Sequence, residues 1–128
     1  MRELGTFVVV YPCSALVHQH SLRRDTTGKI VGYNAPIQFL IFEDQNGKGT
    51  FPVFSDGDLS VRFKAASGGF DDFLTLQIPT PAMLIDILKQ CRGNADAMSF
   101  DQPKMREKPF AIWPLEYAIQ KLEAGELL

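Results

Sequence analysis

Apolar and polar positions change period several times along the chain, and each change marks an element. Residues 6–11, "TFVVVY", are β-branched and aromatic, and they predict a first strand. Residues 12–29 keep no sustained period. Turn chemistry gathers from Asp25 to Gly28, and the segment reads as a loop with room for a short strand or a helical turn. From Ile37 the signal sharpens: "IQFLIFED" and "TFPVFS" are apolar runs separated by "QNGKG". The Asn46-Gly47 pair offers the positive-φ residues of a tight hairpin, so the two runs predict an antiparallel pair.

Beyond the hairpin, strand and helix alternate. "DGDLSVRFKAAS" reads as a helix ending at Gly68 and Gly69, "FLTLQI" as a strand, "TPAMLIDILKQCRG" as a second helix, "DAMSF" as a strand and "WPLEYAIQKLEAG" as the last helix. In the second helix Thr80 is a natural N-cap with Pro81 at the first helical position, and Gly93 closes the other end. Leu84, Ile87, Leu88 and Cys91 then share a face, as do Leu115, Ile119 and Leu122 in the last helix. Three strands joined by two helical crossovers are expected to run parallel, with the hairpin adding an antiparallel neighbour. The class that follows is α+β: one domain over residues 1–128, a mixed β-sheet packed with about three helices.

The joint between hairpin and first helix, "FPVFSDGDL", holds Ser55, Asp56 and Asp58. With Ser55 as N-cap, Asp58 completes an approximate capping box, and Phe54 and Leu59 fall at the hydrophobic-staple positions. The joint also lies at a strand's carboxyl end, where ligands of parallel sheets gather. The corresponding ends of the other two strands bring Thr80 and Asp101 with Gln102, so Ser55, Asp56, Thr80, Asp101 and Gln102 are the candidate ligand-binding rim.

Other chemistry is sparse. "DQNGKG" at residues 44–49 resembles the start of a calcium loop, but Lys48 stands at its fifth position and Ser55 where a bidentate Glu is needed. His18 and His20 share the alternate spacing of paired ligands, with Cys13 as a conceivable third. A zinc site or hydrolase built on them is the weakest reading, since the sequence shows no acidic support for the imidazoles. Cys91 belongs to an apolar helix face, and no catalytic set or cofactor fingerprint is present. No cofactor is expected.

Composition narrows the classes further. The 128 residues are 45% hydrophobic and 22% charged, as in a globular domain. A net charge of −2 and pI near 5.6 supply no basic stripe for nucleic acid. The widely spaced Cys13 and Cys91 read as free thiols in a reducing compartment. Arg2 followed by Glu3 and a short apolar run reads as a strand rather than a secretion signal, and no run is long enough for a membrane span, so a cytoplasmic location is expected.

The segment "GTFPVFSDGDL" resembles the strand-to-helix segment of the SseB-like N-terminal domain, a bacterial family named for enhanced serine sensitivity. The following strand, the helix opened by "IPTPAMLIDIL", the short strand in "ADAMSFDQP" and a terminal helix come in that family's order. Where the family usually has an Asn-Pro-Gly turn, this chain has Asp101-Gln102-Pro103. The resemblance implies a non-enzymatic domain that contacts a partner protein or senses a small molecule. It implies no catalytic residue.

The expectation is therefore a non-catalytic interaction or regulatory domain, pairing with a protein partner or a second copy, and with neither nucleic acid nor membrane. Its candidate contact surfaces are the hairpin edge near Asn46 to Thr50 and the loop "KMREKPFAIW", with Phe110 and Trp113 as anchors. The alternative is a metabolite-binding domain using the strand-end rim.

Overall fold

A computed structural model describes residues 9–128 except 35, 45 and 106. The described residues form an α+β fold: a mixed sheet with helices on both faces. Its first strand, β1, is Cys13–His18, inside the segment that reads as a loop. Its five leading residues are all buried, so it carries no polar alternation and gives no period-2 signal. Half of the expected strand at 6–11 lies outside the described residues, and its residues 9–11 are not in a strand. A single 3-10 turn (Gln19–Ser21) leads to a ribbon of β2 (Leu22–Arg24) and β3 (Ile30–Tyr33).

The expected hairpin is present but shorter, with β4 (Phe42–Glu43) antiparallel to β5 (Gly49–Val53). Of the Asn46-Gly47 pair only Gly47 takes positive φ, at 78°. α1 (Gly57–Ser67), β6 (Phe73–Ile78), α2 (Pro81–Gln90) and β7 (Ala97–Phe100) follow. The loop at 104–113 then yields a strand that the sequence reading lacks, β8 (Ala111–Pro114), before α3 (Leu115–Glu123).

β5 is the hub. It runs parallel to β7, which pairs antiparallel with β8. Its other edge is shared: Gly49 and Thr50 pair with β4, while Phe54 exchanges two 2.8 Å hydrogen bonds with Ser14 of β1. Asp96 and Asp101 N–H groups donate to the Gly49 and Val53 carbonyls, so odd positions of β5 face β7 and even ones face the shared edge. Pro52 therefore stands in the gap between β4 and β1, where its missing N–H leaves no partner unsatisfied. Among the described strands only β5 and β7 are parallel neighbours. β6 runs in the same direction, as the crossovers predict, but pairs with β1, which stands between it and β5.

The two faces hold two cores. Phe51, Val53, Met98 and Phe100 pack with Leu84, Ile87, Leu88 and Cys91 of α2 and with Leu115, Ala118, Ile119 and Leu122 of α3. The opposite face packs Leu16, Leu40, Phe42 and Phe54 around Phe63 of α1. Thr80 caps α2 as expected, its Oγ1 accepting from Met83 N–H at 3.3 Å. No helix of the described residues is long and apolar enough to cross a membrane.

Candidate functional site

The strand-end rim is built from chain ends that each need a backbone partner, and its polar side chains supply them. Asp56, not Ser55, is the N-cap of α1, its Oδ1 accepting from Leu59 N–H at 3.0 Å. Ser55 lies one residue earlier and gives its N–H to Asp101 Oδ1 at 2.7 Å. Asp101 reaches this position through a left-handed backbone, φ 54°, a conformation that Asp tolerates better than most residues. Gln102 is buried and turned away: its Nε2 donates to the Lys104 carbonyl at 3.2 Å and to that of Glu107, closing the loop before β8.

Ser55 and Asp101 therefore converge, while Thr80 does not. Thr80 lies two residues beyond the end of β6, and β1 and β5 stand between that strand and β7. At about 4.8 Å per strand this separation is about 14 Å. Two clefts lie elsewhere. One of about 750 Å³ opens at the opposite end of the sheet, against Phe39, Phe70, Phe73 and Asp96. Another, of about 290 Å³, lies between the β4–β5 turn and the loop before β8, with Phe42, Thr50, Gln102, Pro109 and Ile112 in its lining. Thr50 Oγ1 is buried there without a hydrogen-bond partner among the described residues, as is Ser99 Oγ on the neighbouring strand.

Burial governs both thiols and Tyr11. It pushes the Cys13 thiol up to about 12, with the Asp101 charge acting in the same direction. The buried Tyr11 hydroxyl rises to about 12 as well, through burial first and then Cys13. Cys91 is likewise pushed to about 12 by burial alone. Thiols held protonated in this way are poor nucleophiles and poor metal ligands.

His18 and His20 do meet, with ring centroids 4.6 Å apart, and His18 Nδ1 accepts the His20 backbone N–H at 3.2 Å. That bond closes a local turn. Cys13 lies at the far end of β1, five positions away and so on the opposite face, packed in the core. Among the described residues no three His, Cys, Asp or Glu side chains are placed to hold a metal ion.

The interaction candidates separate. Phe110 is 71% exposed, whereas Trp113 is half-buried against the larger core. Ile112, 52% exposed, is the residue that the sequence reading passes over. The alternation of Ala111 and Trp113 inward with Ile112 outward was the available signal, and its four-residue length concealed it. Of the hairpin edge, Thr50 is buried, and Gly49 N–H donates to Asp96 Oδ2 at 3.1 Å. In comparison with known proteins, the chain matches no family model and no curated protein.

Proposed function

We propose that the chain is a non-catalytic domain that acts by contacting another protein, through the free edge of β8 and the aromatic ring beside it. The observation that carries this reading is Phe110, 71% exposed where β8 begins, next to Ile112 on a strand whose outer edge no described strand pairs. An unpaired edge with exposed apolar side chains is a template for strand addition. The reading accords with the partner-contacting role that the SseB-like resemblance implies. A photo-crosslinking benzophenone amino acid at Phe110 is expected to give a discrete adduct that disappears with Ile112→Lys and is absent when the probe replaces Val61, an exposed apolar residue on α1. Equal labelling from both positions would sink the proposal. Sedimentation of the purified chain separates a second copy from a different protein.

A second reading, a small-metabolite domain, is favoured by the unpartnered Thr50 hydroxyl in the 290 Å³ cleft that Gln102 also lines. It moves the site away from Ser55, Asp56 and Thr80. At a hundred times its dissociation constant a ligand stabilises by about 2.7 kcal/mol, so a metabolite panel in a thermal melt reads it directly. A shift that survives Thr50→Val rejects this cleft.

A further inference from the structure

Residues 22–33 carry a charge and a surface unlike the rest of the chain. Arg23, Arg24 and Lys29 against Asp25 give them a net charge of +2; because the whole chain carries −2, the remainder carries −4. In β3, Ile30, Val31 and Tyr33 are exposed by 42, 50 and 41%. A ribbon of two strands has little stability of its own, and apolar side chains gathered on an exposed strand mark a surface that another molecule covers.

Both arginines lie along the ribbon's own backbone. The Arg23 guanidinium lies against Gly32, where a Cβ would come within 2.6 Å of Nη2, so the absent side chain is what admits it. Arg24 Nη1 donates to the Gly28 carbonyl of the turn at 2.8 Å. Neither makes an ion pair with a described carboxylate. A guanidinium already positioned loses less freedom when it takes a carboxylate. The outer edge of β3 also pairs with no described strand.

We infer that the β2–β3 ribbon docks an extended acidic segment of a partner protein. The segment adds as a third strand along β3, its apolar side chains on Val31 and Tyr33, which share one face, and its carboxylates on the other face toward Arg23 and Arg24, whose cross-strand partners are Gly32 and Ile30. Charge selects a peptide over other polyanions. Three cations cover too little surface for the long phosphate array of a nucleic acid or an anionic bilayer, which the −4 of the remainder repels. An acidic segment presents its charge only where the ribbon is.

The test uses a labelled peptide of alternating glutamate and valine, titrated into the whole chain by fluorescence anisotropy. A lysine–valine peptide, duplex DNA and phosphatidylcholine–phosphatidylserine vesicles run alongside. The glutamate peptide is expected to bind, with shifted amide resonances confined to the ribbon. Arg23→Glu with Arg24→Glu is expected to weaken it about tenfold or more, as is Val31→Lys with both arginines intact. If the double variant fails to fold, Arg24→Gln takes its place. No binding of the glutamate peptide, binding indifferent to these substitutions, or tighter binding to DNA or vesicles overturns the inference. Crosslinking from Phe110 is independent of every arm.

Discussion

The molecule closes two hairpins with the same turn and puts them to opposite uses. In "DTTGK" Asp25 Oδ1 accepts from Thr27 N–H at 2.8 Å and Lys29 N–H at 3.0 Å; in "DQNGK" Asp44 Oδ1 accepts from Asn46 N–H at 2.8 Å and Lys48 N–H at 2.9 Å. Both aspartate N–H groups donate to the closing lysine carbonyl, at 2.9 and 2.8 Å, and both glycines, Gly28 and Gly47, have positive φ. Yet β5 is buried along residues 50–53, while β3 leaves Ile30, Val31 and Tyr33 exposed. The turn sets closure, and neighbouring strands set burial. Among the described strands β5 has β7 on one edge and β4 and β1 on the other, whereas β3 has only β2.

The widest gap between the two should come from side-chain truncation. Phe51 is fully buried, and Phe51→Ala is expected to cost about 3–5 kcal/mol. Val31→Ala on the exposed strand should stay within about 0.5 kcal/mol. Urea unfolding of the two variants measures both, and similar midpoints would mean that the ribbon is buried in solution.

Glycines inside the strands sharpen the same contrast. A Cβ at Gly49 would lie 2.3 Å from the Asn94 carbonyl oxygen, a backbone atom that cannot swing away. Gly49→Ala should therefore lose about 1–3 kcal/mol. At Gly32 the obstacle is the tip of Arg23, so Gly32→Ala should displace a side chain and leave global stability nearly unchanged.

The turn glycines come next. Gly28→Ala and Gly47→Ala each force a side chain into the left-handed region, at about 1 kcal/mol. For Gly47 that cost should appear in global unfolding. For Gly28 it should appear only as faster amide exchange within residues 24–31, because the turn end of the ribbon opens without disturbing Leu22, the ribbon residue that packs in a core.

What was legible in the sequence follows the same division. α2 announced itself through Thr80, Pro81 and a four-residue apolar face, all local signals. β1 was hidden because burial on both faces removes alternation, and β8 because four residues are too few to show it. The N-cap was assigned one residue early, since Ser55 and Asp56 are equally good caps until Asp101 claims the Ser55 N–H from 46 positions away. The same long-range pairing decides the rim. Ser55 and Asp101 meet because β5 and β7 are parallel neighbours, while the insertion of β1, which no local pattern reveals, keeps Thr80 apart.

The smallest effect is expected at the exposed turn, as a function of pH. The Asp25 carboxyl is held below its ordinary value, first by the Thr27 hydroxyl at 2.6 Å and then by the Lys29 N–H. A carboxyl whose folded pKa is depressed contributes to stability above its unfolded value, and that contribution fades as pH falls through the folded one. Because Asp25 is fully exposed, protonation should loosen the ribbon and leave the sheet intact. Amide exchange at Thr27 and Lys29 should accelerate below the ordinary aspartate range relative to Asp25→Asn, while β5 stays protected. Loss of β5 protection at the same pH would show that the two hairpins open as one unit, and the division between local closure and shared burial would fail.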